Sequence, residues 1–234
     1  MRRRAAVRGA AGTRPYDRRM GGTPYDRLGP AARLPETRRA TDDDIDVLVD
    51  VLVRAFDDDP VACFLFRTDA RRRRGLRRFF GIQLRHLYRE HGEVWTTPDL
   101  AGAALWAAPG RSHGSWRDLW HLSPMLRDLL ALGPLLPDAT RLLSHVDRVR
   151  PRQPHWYLAT LGTDPPRQGR GTGSALLQRV LPRLDTEGLP AYLESSKERN
   201  VPFYARHGFE IVGDYDVPGA PHMWFMWRDP KPPR

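Results

Sequence analysis

Apolar residues return along this chain at two different spacings, and each change of spacing marks an element. From Ile45 the chain reads IDVLVDVLVRAF, where Ile45, Leu48, Leu52 and Phe56 recur at helical intervals and predict one buried face. Thr41 stands where a helix cap is needed and Asp44 follows three residues later, so the start is well marked. The helix should stop at the acidic DDDP of Asp57 to Pro60. A short strand candidate, ETRRA from Glu36, precedes it. A second helix is expected across Arg71 to His91, where RRRR reads as a solvated face.

The spacing then shortens. EVWTT from Glu93 and GAALWAA from Gly102 are predicted strands, separated by Pro98 and Asp99 in hairpin fashion. Residues 116 to 149 read as helical, interrupted by prolines at 124, 134 and 137. HWYLATLG, His155 to Gly162, is strongly β-prone and feeds a glycine-rich loop, DPPRQGRGTG. The helix after that loop carries Leu176, Leu177, Val180, Leu181 and Leu184 on one side, with Pro182 expected to bend it. AYLESS from Ala191 is a strand, Pro202 to His207 a short helix, and Phe209 to Val217 and His222 to Arg228 two final strands. The order βααββαβαβαββ predicts an α/β fold with a mixed sheet and helices on both faces.

Composition changes this picture in two places. The formal charge of +10 sits mostly in residues 1–39, which hold eleven Arg against Asp17, Asp26 and Glu36. The rest of the chain is close to neutral, so the first 35 residues are expected to be a disordered Arg-rich tail and residues 36–234 one domain. Nucleic-acid binding is then expected, if anywhere, from that tail alone. A single cysteine, Cys63, excludes an intrachain disulfide framework and fits a reducing cytoplasm. No apolar run approaches the roughly 18 residues that span a bilayer, so no membrane partner is expected. The histidines show no HxH or HExxH spacing, and no metal is expected.

The glycine loop carries the chemistry. A nucleoside triphosphate loop needs Lys and Ser or Thr after its last glycine, but Gly173 is followed by Ser174 and Ala175. Gly169, Gly171 and Gly173 give GxGxG, not the dinucleotide pattern GxGxxG. Successive backbone N–H groups at a helix start still attract an anion, and Arg167 and Arg170 add positive charge beside them. A pyrophosphate is the natural guest.

LGTDPPRQGRGTGSALL, with Gln168-x-x-Gly171-x-Gly173, taken together with NVPFYARHGF downstream, resembles the GNAT superfamily of N-acetyltransferases. Within it, HWYLATLG and LESSKERNVPFYARHGF are most similar to the puromycin N-acetyltransferase branch. The resemblance implies a mostly antiparallel sheet whose central parallel strand pair splays apart to admit acetyl-CoA. It places the backbone of Leu161, Gly162 and Thr163 along the pantetheine arm. Gln168, Gly169, Arg170, Gly171, Thr172, Gly173 and Ser174 would then surround the pyrophosphate. Tyr204 matches the superfamily tyrosine that protonates the departing thiolate. Glu194, on the strand AYLESS, is the candidate base for the amine proton, with a water chain as the alternative.

Asn200 stands four residues before Tyr204, where it would contact CoA or cap the helix. Asp57, Asp58 and Asp59 would draw in a cationic amine or simply form a solvated loop. Trp95, Trp106, Trp224 and Trp227 are candidates for stacking on an aromatic acceptor, with core packing as the more common use of such residues. The implied activity is acetyl-CoA-dependent transfer to a primary amine of a small molecule, an antibiotic or related metabolite among the candidates. A peptide or protein amine, a non-catalytic acetyl-CoA-binding protein and an RNA-associated protein are the competing readings. Nothing in the sequence separates a monomer from a homodimer.

Overall fold

A computed structural model describes residues 34–88, 92–110 and 136–232. The predicted tail lies outside these residues except for Leu34 and Pro35, as does the predicted helical stretch up to residue 135. Strands β1 (Arg38–Arg39), β2 (Gly92–Thr96), β3 (Gly102–Ala107), β4 (Trp156–Thr163), β5 (Ala191–Ser195), β6 (Glu210–Tyr215) and β7 (Met223–Arg228) form one sheet. Their order is β1-β2-β3-β4-β5-β7-β6. Every neighbouring pair is antiparallel except β4 and β5, which run parallel.

Both faces of the sheet are covered, and all six residues of the central strand β3 are buried. Helices α1 (Ile45–Ala55) and α3 (Asp69–Ile82) bury Leu48, Leu52 and Phe80 against Ala103 and Leu105 of β3. At the start of α1 the Asp44 carboxylate accepts from the Thr41 backbone N–H at 2.7 Å and from its hydroxyl at 2.9 Å. On the other face α5 (Thr172–Gln178), α6 (Leu181–Glu187) and α7 (Val201–Arg206) bury Leu176, Leu184 and Val201 with Trp106, Leu158 and Leu193. A smaller cluster joins Leu142 of α4 (Leu136–Val149) to Tyr192 and Phe225.

Two differences from the predicted order have local causes. Helix α2 (Pro60–Leu65) is not among the predicted elements; Asp59 caps it by accepting from the N–H groups of Val61 and Ala62 at 3.0 and 3.1 Å. Pro60, which has no N–H to lose, occupies its first position. The helix after the glycine loop is two helices, not one bent one, because Pro182 sits in the first turn of α6 and cannot continue the hydrogen-bond ladder of α5.

The parallel pair matters most for function. Pairing between β4 and β5 consists of Trp156 with Ala191 and Tyr157 with Tyr192, and then it stops. Each strand stays paired on its outer side, β4 to β3 as far as Thr163 and β5 to β7 as far as Ser195. A bulge helps to part them: Leu158 faces Trp106 and Thr160 faces Leu105, so Ala159 is one extra residue in β4. Such a bulge bends its strand and raises the local twist. The sheet therefore opens into a V with two unpaired backbone edges.

Candidate active site

The open edge of β4 ends in a loop that the sequence holds in an unusual shape. Gly162 lets α1 approach closely, since a Cβ there would lie 2.6 Å from Leu52 and 3.1 Å from Phe56. The carbonyl of Thr163 accepts from the Gln168 side chain at 3.1 Å, and Asp164 takes a two-pronged pair from Arg54, both contacts at 2.8 Å. Beyond this anchor Gly169 and Gly171 adopt φ of +76° and +86°, a left-handed backbone that side chains disfavour. Helical bonding resumes when the Ala175 N–H donates to the Gly171 carbonyl at 2.9 Å.

Between these points the six consecutive backbone N–H groups of residues 169 to 174 have no hydrogen-bond partner among the described residues. The last four are the open N–H groups of a helix start, and the two before them extend the row along the loop. Together they form a concave row of partial positive charge at a helix start, suited to an anion with several oxygens.

That row opens into a cleft of about 250 Å³ at the split in the sheet. Leu161, Gly162 and Thr163 line one wall, and Gln168, Gly169, Gly171, Thr172, Gly173 and Ser174 line another. Asn200, Phe203 and Tyr204 come from the start of α7, and Phe56 and Asp59 from the end of α1 and the cap of α2. Phe203 packs on the loop, where a Cβ at Gly173 would lie 3.1 Å from its ring.

Tyr204 is 7% exposed, and its hydroxyl makes no hydrogen bond among the described residues. Burial pushes its phenol well above the ordinary range, and the negative charge of Asp59 pushes it further in the same direction. The proton therefore stays on the oxygen at neutral pH.

Eleven of the thirteen predicted site residues meet at this cleft; Arg170 and Glu194 do not line it. The reason for Glu194 is strand parity. Ala191 and Leu193 share a cluster with Tyr204, whereas Tyr192 points to the α4 side and Glu194 follows two residues later. There the carboxylate accepts from the Tyr157 hydroxyl at 2.6 Å and from Arg150 at 3.3 Å, with the Arg150 guanidinium over the Tyr157 ring. Glu194 thus bridges the parting strands β4 and β5 on the sheet face away from Tyr204, and it does not line this cleft. Asn200 has no side-chain cap hydrogen bond, so the capping alternative is not used.

The stacking candidates are placed elsewhere. Trp95 and Trp106 are buried, Trp224 stacks on His222, and the Trp227 indole donates to Asp229. Cys63 lies exposed on α2. Among the described residues no group of His, Cys, Asp and Glu is placed to hold a metal ion, and no helix is long and apolar enough to cross a membrane.

Lys197, Arg199 and Arg206 line the cleft without having been singled out from sequence. A signal existed: SKERN puts two cations just before a helix start, where the helix dipole disfavours positive charge unless an anion is also present.

Residues 138–209 match the acetyltransferase (GNAT) family. An uncharacterised N-acetyltransferase of Schizosaccharomyces pombe is 34% identical over 173 residues, which is 68% of this chain and 67% of the relative. The chain belongs to the GNAT acetyltransferase family. Among solved structures, that of a histone acetyltransferase and related acetyltransferase from Corynebacterium glutamicum is 28% identical and covers 86% of this chain and 99% of its own. Its TM-score is 0.63. Arylalkylamine N-acetyltransferase 2 of Aedes aegypti shares the fold of this GNAT acetyltransferase at 10% identity, with a TM-score of 0.54 over 84% of this chain and 99% of its own.

GNAT acetyltransferases generally use acetyl-CoA, and the place of Glu194 in this one has a measurable consequence. Glu194→Gln is expected to lower stability by about 2 kcal/mol, because it leaves the half-buried Arg150 charge without its counter-ion. It should leave the pH profile of acetyl transfer unchanged. Urea denaturation and a pH–rate profile check the two halves.

Proposed function

We propose that this enzyme transfers the acetyl group of acetyl-CoA directly to a primary amine of a small molecule, an antibiotic or related metabolite among the candidates. The observation that carries this reading is the row of six unpartnered N–H groups opening onto the split between β4 and β5, with the Tyr204 hydroxyl in the same cleft. The residues present fit such a substrate. Loop donors suit the pyrophosphate, and Gly169 adds no side chain in their way, since a Cβ there would meet open space. The unpaired edge of Leu161, Gly162 and Thr163 offers backbone groups to the amides of the pantetheine arm. Asn200, on the opposite wall, supplies a further amide contact.

The step is a single displacement. The amine nitrogen attacks the thioester carbonyl carbon, a C–N bond forms, and the C–S bond breaks as the tetrahedral adduct collapses. Tyr204 gives its proton to the departing thiolate, and the proton that the nitrogen sheds passes through water to refill the phenolate. An amide and a free CoA thiol leave the site.

The test is thiol release from acetyl-CoA in the presence of puromycin, aminoglycosides, amino acids, polyamines and a lysine-containing peptide. Turnover with one small-molecule class supports the reading. Turnover with the peptide alone moves the acceptor to protein amines, and failure to bind acetyl-CoA overturns the reading of the loop.

A further inference from the structure

Two irregularities meet beneath the split in the sheet. On β4 the extra residue is Ala159, and Thr160 stands directly after it. On the helical side α3 continues into a wider π-helical turn, Gln83–Leu87, whose first residue is Gln83. The Thr160 hydroxyl donates to the Gln83 side-chain oxygen at 2.9 Å.

The surroundings of this pair are apolar. Gln83 and Thr160 are 7% and 4% exposed, Gln83 stands between Ile82 and Leu84, and Thr160 lies opposite Leu105. Neither residue lines the cleft. A hydrogen-bonded pair buried where two apolar side chains of the same shape would also pack adds little stability. What it supplies is a choice of register.

Side chains alternate between the faces of a strand, so the face that Thr160 meets depends on the residue inserted before it. With Ala159 as that residue, Thr160 faces Gln83. Were β4 to pair without it, Thr160 would sit opposite Ala104, which belongs to the other layer with Trp106 and Leu158. Its hydroxyl would then be buried among apolar groups, and Gln83 would lose its partner. Two buried polar groups without partners disfavour that register. The backbone follows the side chains, because each residue sends its N–H and C=O to one edge of the strand and its successor sends them to the other.

On the acetyl-transfer reading above, we propose that the hydrogen bond from Thr160 to Gln83 is a register pin. It holds the extra residue at Ala159 and so decides which backbone groups of Leu161, Gly162 and Thr163 face acetyl-CoA. Gln83 and Thr160 are positioning residues, acting through the backbone of β4.

Substitutions that conserve shape separate a pin from a plain core contact, and all are made in the full chain. Thr160→Val and Gln83→Met each leave one buried polar group without its partner, so both should lower stability. The double variant T160V/Q83M leaves neither, and its melting temperature should return close to that of the wild type. Its affinity for acetyl-CoA, measured by titration calorimetry, should nevertheless stay about tenfold low, because the edge of β4 is no longer fixed. In the same variant without ligand, amide hydrogen exchange at residues 159–163 should run about tenfold faster. Thr160→Ser keeps the hydroxyl and should match the wild type in affinity and exchange.

Wild-type affinity or wild-type exchange in the double variant overturns the proposal, since a merely structural pair would move only the stability of the single variants. A wild type that does not bind acetyl-CoA is a different failure. It removes the transfer reading, and the exchange comparison alone then decides whether the pin exists.

Discussion

Tyr204→Phe is expected to lower kcat about a hundredfold while leaving the affinity for acetyl-CoA unchanged. The substitution removes one oxygen and nothing else that packs. The ring stays against Phe203 and Phe209, with centroids at 5.2 and 6.0 Å, and the hydroxyl has no hydrogen-bond partner to lose among the described residues. Stability should hold, because no hydrogen bond among the described residues is lost. What disappears is the proton that converts a departing thiolate into a thiol.

The direction of the Tyr204 shift fixes the resting state of this group. Burial and the Asp59 charge both disfavour the phenolate, so the oxygen holds its proton in the resting enzyme. Steady-state kinetics with calorimetric titration of acetyl-CoA separates the cases. An unchanged kcat sinks the proton-donor role, and a parallel loss of affinity would make Tyr204 part of the binding wall instead.

The half of the site that was legible in the sequence is local. The left-handed glycines, the strand before them and the helix after them lie within about twenty residues, and backbone stereochemistry alone dictates what such a run does. The order of elements along the chain was legible for the same reason, from runs whose spacing changes at turns, whereas the splayed parallel pair was implied only by the family resemblance. The start of α2 was also written locally, in Asp59 followed by Pro60, an N-cap and a first-turn proline that the acidic run disguised.

What escaped reading depends on which face of the sheet a side chain reaches, or on pairs far apart in the chain. Alternation in AYLESS shows that Tyr192 and Glu194 share a face, but not that Leu193 is the residue packed beside Tyr204. Asp58 meets Lys197 across 139 positions and Arg199 across 141, and no local rule connects them. The pair of Gln83 and Thr160 spans 77 positions and is equally hidden.

Gly171→Val is expected to weaken acetyl-CoA binding about thirtyfold, with only a small fall in thermal stability. The position has φ of +86° and ψ of −2°, where a β-branched residue is strained by about 1 to 3 kcal/mol. Its added carbon would also stand 3.3 Å from Leu34. The loop has two ways to respond. It can keep its shape and carry the strain into the folded state, which lowers stability, or it can relax and disperse the row of N–H groups, which lowers affinity.

Relaxation is the easier course, because residues 166 to 170 are exposed and Gln168 makes the side-chain tie that holds them to β4. The core contacts of Leu176 and Leu177 lie further along α5 and need not move. Binding should therefore suffer more than folding, which titration calorimetry and a melting curve measured on the same preparation will compare. Equal losses would mean that the loop is stiff and structural. Unchanged affinity would mean that the six N–H groups face something other than the pyrophosphate, and the functional reading built on them would fall with that result.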